Sequence, residues 1–173
     1  SVINQIINER GITQPSLILN NLNTGITEAL KQSETDVNDG MDISLCNIDL
    51  SKLHLQYAGA NRPLWLFRKG ELIEIKPDKL AIGGFRIRLD ATFTNHEMQL
   101  QHGDSLYLFT DGYADQFGGP HGKKLLSKQF REILSSLQHL SMREQEKRLT
   151  EVFSEWKGAL TQVDDVLVIG IRV

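Results

Sequence analysis

The sequence predicts an α+β fold in which antiparallel strands and helices occupy separate stretches of the chain. Alternating apolar residues recur in short runs joined by turn residues, as hairpins require. Apolar residues at helical spacing fall before and after this strand region, and a last apolar run closes the chain. Regular β-α-β alternation, which would indicate a doubly wound parallel sheet, is absent.

The elements follow in order. Val2, Ile3, Ile6 and Ile7 predict a short helix ending at Gly11. Thr13 is placed to cap the next helix, with Pro15 in its first turn and Ile18, Leu22, Ile26 and Leu30 on one face. The polar stretch from Lys31 to Gly40 reads as a loop. Met41, Ile43 and Leu45 alternate, as do Leu53, Leu55 and Tyr57, and the connector with Asp49 and Ser51 suits a hairpin. Leu64 to Phe67 and Leu72 to Ile75 make a second hairpin around Arg68-Lys69-Gly70-Glu71. Phe93 to Leu100 and Ser105 to Thr110 are further strands. Leu126, Phe130, Ile133, Leu134 and Leu137 mark a helix. Ser141-Met142-Arg143-Glu144 has the capping-box pattern of another, whose apolar face is Leu149, Val152, Phe153 and Trp156. Val166 to Val173 is a strand whose apolar run predicts a place inside a sheet.

Composition narrows the function classes. With 173 residues the chain reads as a single domain, 1–173, long enough to bury a core. Hydrophobic content of 40% and charged content of 24% exclude disorder as the default. A net charge of -3 gives no electrostatic reason to expect nucleic acid. Cys46 is the sole cysteine, so no internal disulfide forms and a reducing compartment is favoured. No apolar run is long enough to span a bilayer. The expected location is the cytoplasm.

Two acidic sites end or precede apolar strands. Asp111-Gly112 follows Leu106 to Thr110, and Asp164-Asp165 precedes Val166 to Ile171. Asp-Gly is also a common turn, and paired acids are often solvated. If the two strand ends lie side by side, however, their carboxylates present the oxygen donors that Mg²⁺ and Mn²⁺ prefer. Ala58-Gly59-Ala60-Asn61-Arg62-Pro63 reads either as a bend or as a backbone wall near a ligand, with Arg62 suited to phosphate. Asp42 is expected to face water or a far sheet. Gly83-Gly84 and the glycine-rich run 118–122 lack the spacing of nucleotide-binding loops. The segment after Asp111 reads as a flap anchored by Phe117. The histidines lack zinc-ligand spacing, and no serine sits in a nucleophile elbow.

Three of these segments together resemble a known family. Phe109-Thr110-Asp111-Gly112-Tyr113-Ala114-Asp115 resembles the "FTDG-x-x-E/D" segment of the bacterial PPM-type (PP2C-like) serine phosphatases of the sporulation and stress-response sigma-factor regulators, the SpoIIE-like proteins. Asp164-Asp165-Val166-Leu167-Val168 is similar to their "DD-x-T-x-V" segment, with Leu167 where Thr is usual. Tyr57 to Pro63 resembles "AGH-x-P", with Asn61 in place of His.

The resemblance implies an α-β-β-α sandwich of antiparallel sheets flanked by helices. It implies two Mn²⁺ or Mg²⁺ ions in the intact domain, with Asp111, Gly112, Asp164 and Asp165 as the metal group. Asp111 and Asp164 then act in catalysis through metal-activated water, and Asn61 and Arg62 are the candidate substrate contacts. The implied substrate is a phosphoserine or phosphothreonine protein, such as an anti-sigma-factor antagonist, and the implied parent carries an upstream sensor domain, which would make this chain the cytoplasmic part of a membrane-anchored sensor protein. The family's upstream "GD" and "D-x-x-GHG" segments are not in this sequence. The chain therefore reads as the C-terminal major part of such a domain, truncated at its N-terminus, with little activity alone and an edge open to homodimerisation. The alternative is a non-catalytic, phosphatase-like protein-binding module.

Overall fold

A computed structural model describes residues 2–32, 40–83 and 92–173. The chain runs α1 (Val2–Asn4, continuing as a π-helical turn over Gln5–Glu9), α2 (Pro15–Gln32), β1 (Ile43–Asp49), β2 (His54–Ala60), β3 (Leu64–Arg68), β4 (Glu71–Ile75), β5 (His96–Gln99), β6 (Ser105–Phe109), α3 (Gly112–Asp115), β7 (Phe117–Gly118), β8 (Lys123–Lys124), α4 (Leu126–Ser136), α5 (Met142–Lys157) and β9 (Val168–Arg172). It forms an α+β fold with antiparallel sheets and helices. Contacts divide it into two compact units, Ser1–Leu64 with Glu74–Gln101 and Trp65–Ile73 with His102–Val173. Residues 33–39 of the expected polar loop, Gly84 and the side chain of Leu30 lie outside the described residues. No helix among the described residues is long and apolar enough to cross a membrane.

In the first unit the sheet order is β1-β2-β5. Ile18, Leu19 and Leu22 of α2 are buried with Ile6, Ala58, Ala60, Ile82 and Phe93. Pro15 is the first helical residue, where its missing N–H costs nothing. Gln14, not Thr13, therefore immediately precedes the helix, and the Thr13 carbonyl instead accepts the Asn47 side-chain amide at 3.2 Å. The Asp49 carboxylate closes the β1–β2 turn by accepting the N–H groups of Ser51 and Lys52 at 3.0 and 3.1 Å.

In the second unit the sheet order is β4-β3-β6-β9. Both residues of the β3–β4 turn, Lys69 and Gly70, have positive φ, 50° and 83°, as a two-residue hairpin turn of matching twist demands. The core gathers Trp65, Phe67, Tyr107, Tyr113, Phe130, Leu134 and Leu149. Tyr113 stacks on Phe130 with ring centroids 4.5 Å apart. Ser141 and Glu144 form the expected capping box at the start of α5.

The closing strand departs from expectation. β9 covers Val168–Arg172, stands at the end of the sheet order, and has β6 as its strand neighbour among the described residues. Leu167 and Ile169 are 54% and 43% exposed. The apolar run marks strand propensity, which β-branched residues carry on any strand, and not a central position.

Arg68, at the end of β3, holds Asp104 through hydrogen bonds of 3.0 Å from Nε and 2.6 Å from Nη2. The Asp104 side chain is 1% exposed. Arg68→Met strands that carboxylate and is expected to cost about 3–5 kcal/mol, read from the urea midpoint. Arg68→Met with Asp104→Leu is expected to recover most of the loss.

Candidate functional site

The site grows from the β6–β9 ladder. The strands pair antiparallel up to Phe109 opposite Val168. Thr110 then extends the contact beyond the strands. Its N–H donates to the Leu167 carbonyl at 3.0 Å. Its hydroxyl donates to the Asp165 carbonyl at 2.8 Å and accepts the Leu167 N–H at 3.0 Å. The backbone that carries Asp111 and the backbone that carries Asp165 therefore meet at one end of this sheet.

Asp111 opens the single turn of α3, and its carbonyl accepts the Asp115 N–H at 2.9 Å. Gly112 does not need its glycine for a positive φ, since it is helical. It needs it for space: a Cβ would lie 2.4 Å from the Asp165 carbonyl oxygen. The turn reading of Asp-Gly thus gives way to close packing of two acidic segments. Asp111 is half-buried, whereas Asp164 and Asp165 are exposed. Asp164 Oδ1 accepts the N–H of Asp165 at 2.7 Å, and Gln162 Nε2 donates to the Asp164 carbonyl at 2.8 Å.

These donors are all oxygen, the chemistry that Mn²⁺ and Mg²⁺ accept. Among the described residues, no group of three or more His, Cys, Asp or Glu side chains is gathered as a metal cluster. The adjoining segments therefore supply oxygen donors but do not by themselves gather a full ligand set among the described residues.

Asn61 and Arg62 belong to the first unit. Both side chains grip Asp42, Asn61 Nδ2 on Oδ1 and Arg62 Nη2 on Oδ2, each at 2.9 Å. Asp42 is exposed, as expected, and is also the fixing point of this bend. The Tyr57 hydroxyl donates to the Arg62 carbonyl. A Cβ at Gly59 would come within 2.4 Å of that same carbonyl, which explains the small residues here. Cys46 is no nucleophile, because burial pushes its thiol up to about 12.

The flap is a ribbon of β7 and β8. Phe117 is exposed and does not anchor it. The anchor is the glycine pair: Gly119 N–H donates to the Trp156 carbonyl at 2.8 Å, and Gly118 sits too close to that carbonyl for any Cβ. In the sequence Thr110 stands out only as part of a motif, and Gln116 not at all. The available signal was a polar residue at the end of an apolar strand in one case, and a lone amide between Asp115 and a glycine-rich ribbon in the other.

The sequence model of the family described as Stage II sporulation protein E (SpoIIE) matches residues 1–173. The chain belongs to the SpoIIE family. No curated protein matches it in sequence. Among solved structures it is similar to the SiaA-PP2C domain of Pseudomonas aeruginosa, with 29% identity and a TM-score of 0.87 over 99% of this chain and 66% of that one. It is similar in fold to the phosphatase domain of the cell fate determinant SpoIIE from Bacillus subtilis, presoaked with Mn, at 16% identity and a TM-score of 0.62 over 99% of this chain and 71% of that one. It also resembles the serine/threonine phosphatase PstP/Ppp of Mycobacterium tuberculosis, at 18% identity and a TM-score of 0.63 over 98% and 78% of the two chains. The fold of this SpoIIE-family chain is thus that of PP2C phosphatase domains, and the chain spans a little less than two thirds of the SiaA domain's length.

Thr110→Val keeps the shape of the side chain and removes both hydroxyl bonds. Amide exchange at Leu167 is expected to accelerate about tenfold, the equivalent of roughly one net hydrogen bond, with α4 unaffected. Gly112→Ala is expected to destabilise by about 1–3 kcal/mol, because the Asp165 backbone must move; a thermal melt reads this.

Proposed function

We propose that the intact protein is a metal-dependent serine/threonine phosphatase acting on a phosphoprotein in bacterial signalling. The observation that carries this is the junction at the end of β6 and β9, where Thr110 and Gly112 bring two acidic segments together within a PP2C fold. Asp111, Asp164 and Asp165, with the Gly112 backbone, are the residues that would hold Mn²⁺ or Mg²⁺, two ions in the intact domain. When bound, such cations supply Lewis acidity for water attack on phosphorus and for the charge on the phosphoryl oxygens. The chain's own part is to orient the acids and to offer no competing nucleophile. Asn61 and Arg62, held in one geometry by Asp42, are the proposed phosphate contacts. The substrate class is a phosphoserine or phosphothreonine protein of the anti-sigma-factor-antagonist kind, with an upstream sensor domain setting activity.

A malachite-green assay on a phosphoserine peptide tests this with the intact protein. Phosphate release is expected to require Mn²⁺ or Mg²⁺ and to fall about 100-fold or more in Asp111→Asn, with an unchanged melting temperature. Residues 1–173 alone are expected to be slower than the intact protein by a similar factor. Release that is indifferent to chelator, or unaffected by Asp111→Asn, would overturn the reading.

A further inference from the structure

The segment that delivers Asp164 and Asp165 has an unusual mounting. Residues 161–167 lie in neither helix nor strand, and all of 161–165 are exposed. Within 161–165, burial of apolar surface therefore does not hold the acids in place, although the next residue, Val166, packs against the core. Polar clips hold them, at both ends. Thr110 takes the Asp165 and Leu167 end. Gln116 takes the other: its Nε2 donates to the Thr161 carbonyl at 3.0 Å, and its Oε1 accepts the Val163 N–H at 3.4 Å.

Gln116 is itself immovable. It is 0% exposed and directly follows α3, whose first residue Gly112 abuts Asp165. Its Nε2 also donates to the Phe117 carbonyl at 2.9 Å. Its own carbonyl accepts the Trp156 indole N–H at 2.9 Å and the Leu125 N–H at 3.0 Å. The usual fate of a buried glutamine is to satisfy scattered core groups. Here the amide spends both its donor and its acceptor on the loop that precedes Asp164.

We infer that Gln116 is a positioning residue: its side-chain amide fixes the 161–165 segment beside the Asp111 turn and so sets the reach of Asp164 and Asp165 toward a shared cation. The cation part rests on the phosphatase reading; the tethering part does not. Without the clip, the loop keeps the Thr110 bonds and the Val166 packing at one end, and the acids swing about that end.

Two readouts on the intact protein decide it. Gln116→Met keeps length and volume but loses all three side-chain amide bonds, the two to the loop and the one to the Phe117 carbonyl. Amide exchange in 163–165 is expected to rise about tenfold while α4 and α5 keep their protection, and the Mn²⁺ dissociation constant by calorimetry is expected to weaken about tenfold. Val163→Pro removes the N–H that Gln116 accepts, at an exposed residue that leaves the core untouched; it carries the decision if Gln116→Met does not fold. Exchange that rises equally throughout the second unit would overturn the inference, as would a loop and a Mn²⁺ isotherm that do not change. If the unsubstituted protein takes up no Mn²⁺, the phosphatase reading falls, and the exchange arm alone still decides whether Gln116 holds the loop.

Discussion

One threonine hydroxyl spends both of its hydrogen-bonding faces on the chain coming toward it. Thr110 donates to the Asp165 carbonyl and accepts the Leu167 N–H. The β6–β9 register ends one residue earlier, at Phe109 opposite Val168. Strands separate quickly beyond their last ladder bond because sheets twist. The hydroxyl postpones that separation for just long enough to bring Asp165 against Gly112. Each such bond is worth about 1 kcal/mol net, little beside the stability of a domain. Its effect is local: it decides where two acidic segments stand, and the missing Cβ of Gly112 lets them stand that close.

The same division of labour recurs through the second unit. Aromatic packing of Trp65, Phe109, Phe130 and Tyr113 supplies non-directional cohesion between sheet and helices. Buried polar groups supply the orientation. The Tyr107 hydroxyl donates to Gln145 Oε1 at 2.6 Å and accepts from Gln138 Nε2 at 2.9 Å, which fixes β6 against α5 and the turn before it. The Tyr113 hydroxyl donates to the Leu149 carbonyl at 2.9 Å, and burial pushes its ionisation up, so it remains a donor at any ordinary pH. Leaving any of these groups unmet inside the core costs more than meeting it gains, so few alternative packings survive.

How much of this was legible follows the range of the forces involved. Local signals read well: the capping box at Ser141, the hairpin at Gly70 and the alternation of β1 and β2 depend on neighbours a few residues away. The family was legible too, because the strand-end acids keep their spacing and context. What did not read were relations that only the folded chain creates. The run from Val166 looked central but stands at the end of the sheet order among the described residues, because composition records propensity and not neighbours. Gly112 read either as a turn glycine or as one allowing close backbone approach, and the segment that approaches it, at Asp165, sits 53 residues away in sequence. Phe117 looked like the flap anchor, yet the glycines beside it do the anchoring on Trp156. Asp42 is exposed, as its setting suggested, but nothing local announces Asn61 and Arg62 as its partners.

That last pair bears on the phosphate contact proposed for Arg62. An arginine already paired with a carboxylate might be thought spent. The Arg62 and Asp42 side chains are 22% and 31% exposed, and they meet at 2.9 Å. A pair this close to solvent is worth only about 0–1 kcal/mol, because water competes for both partners. A phosphate group carries more charge than a carboxylate and takes guanidinium bonds in the same planar geometry. The Asp42 contact therefore costs Arg62 little of its capacity for phosphate, while it removes most of the side-chain freedom that binding would otherwise have to freeze. The carboxylate acts here as a mould for the arginine more than as its competitor.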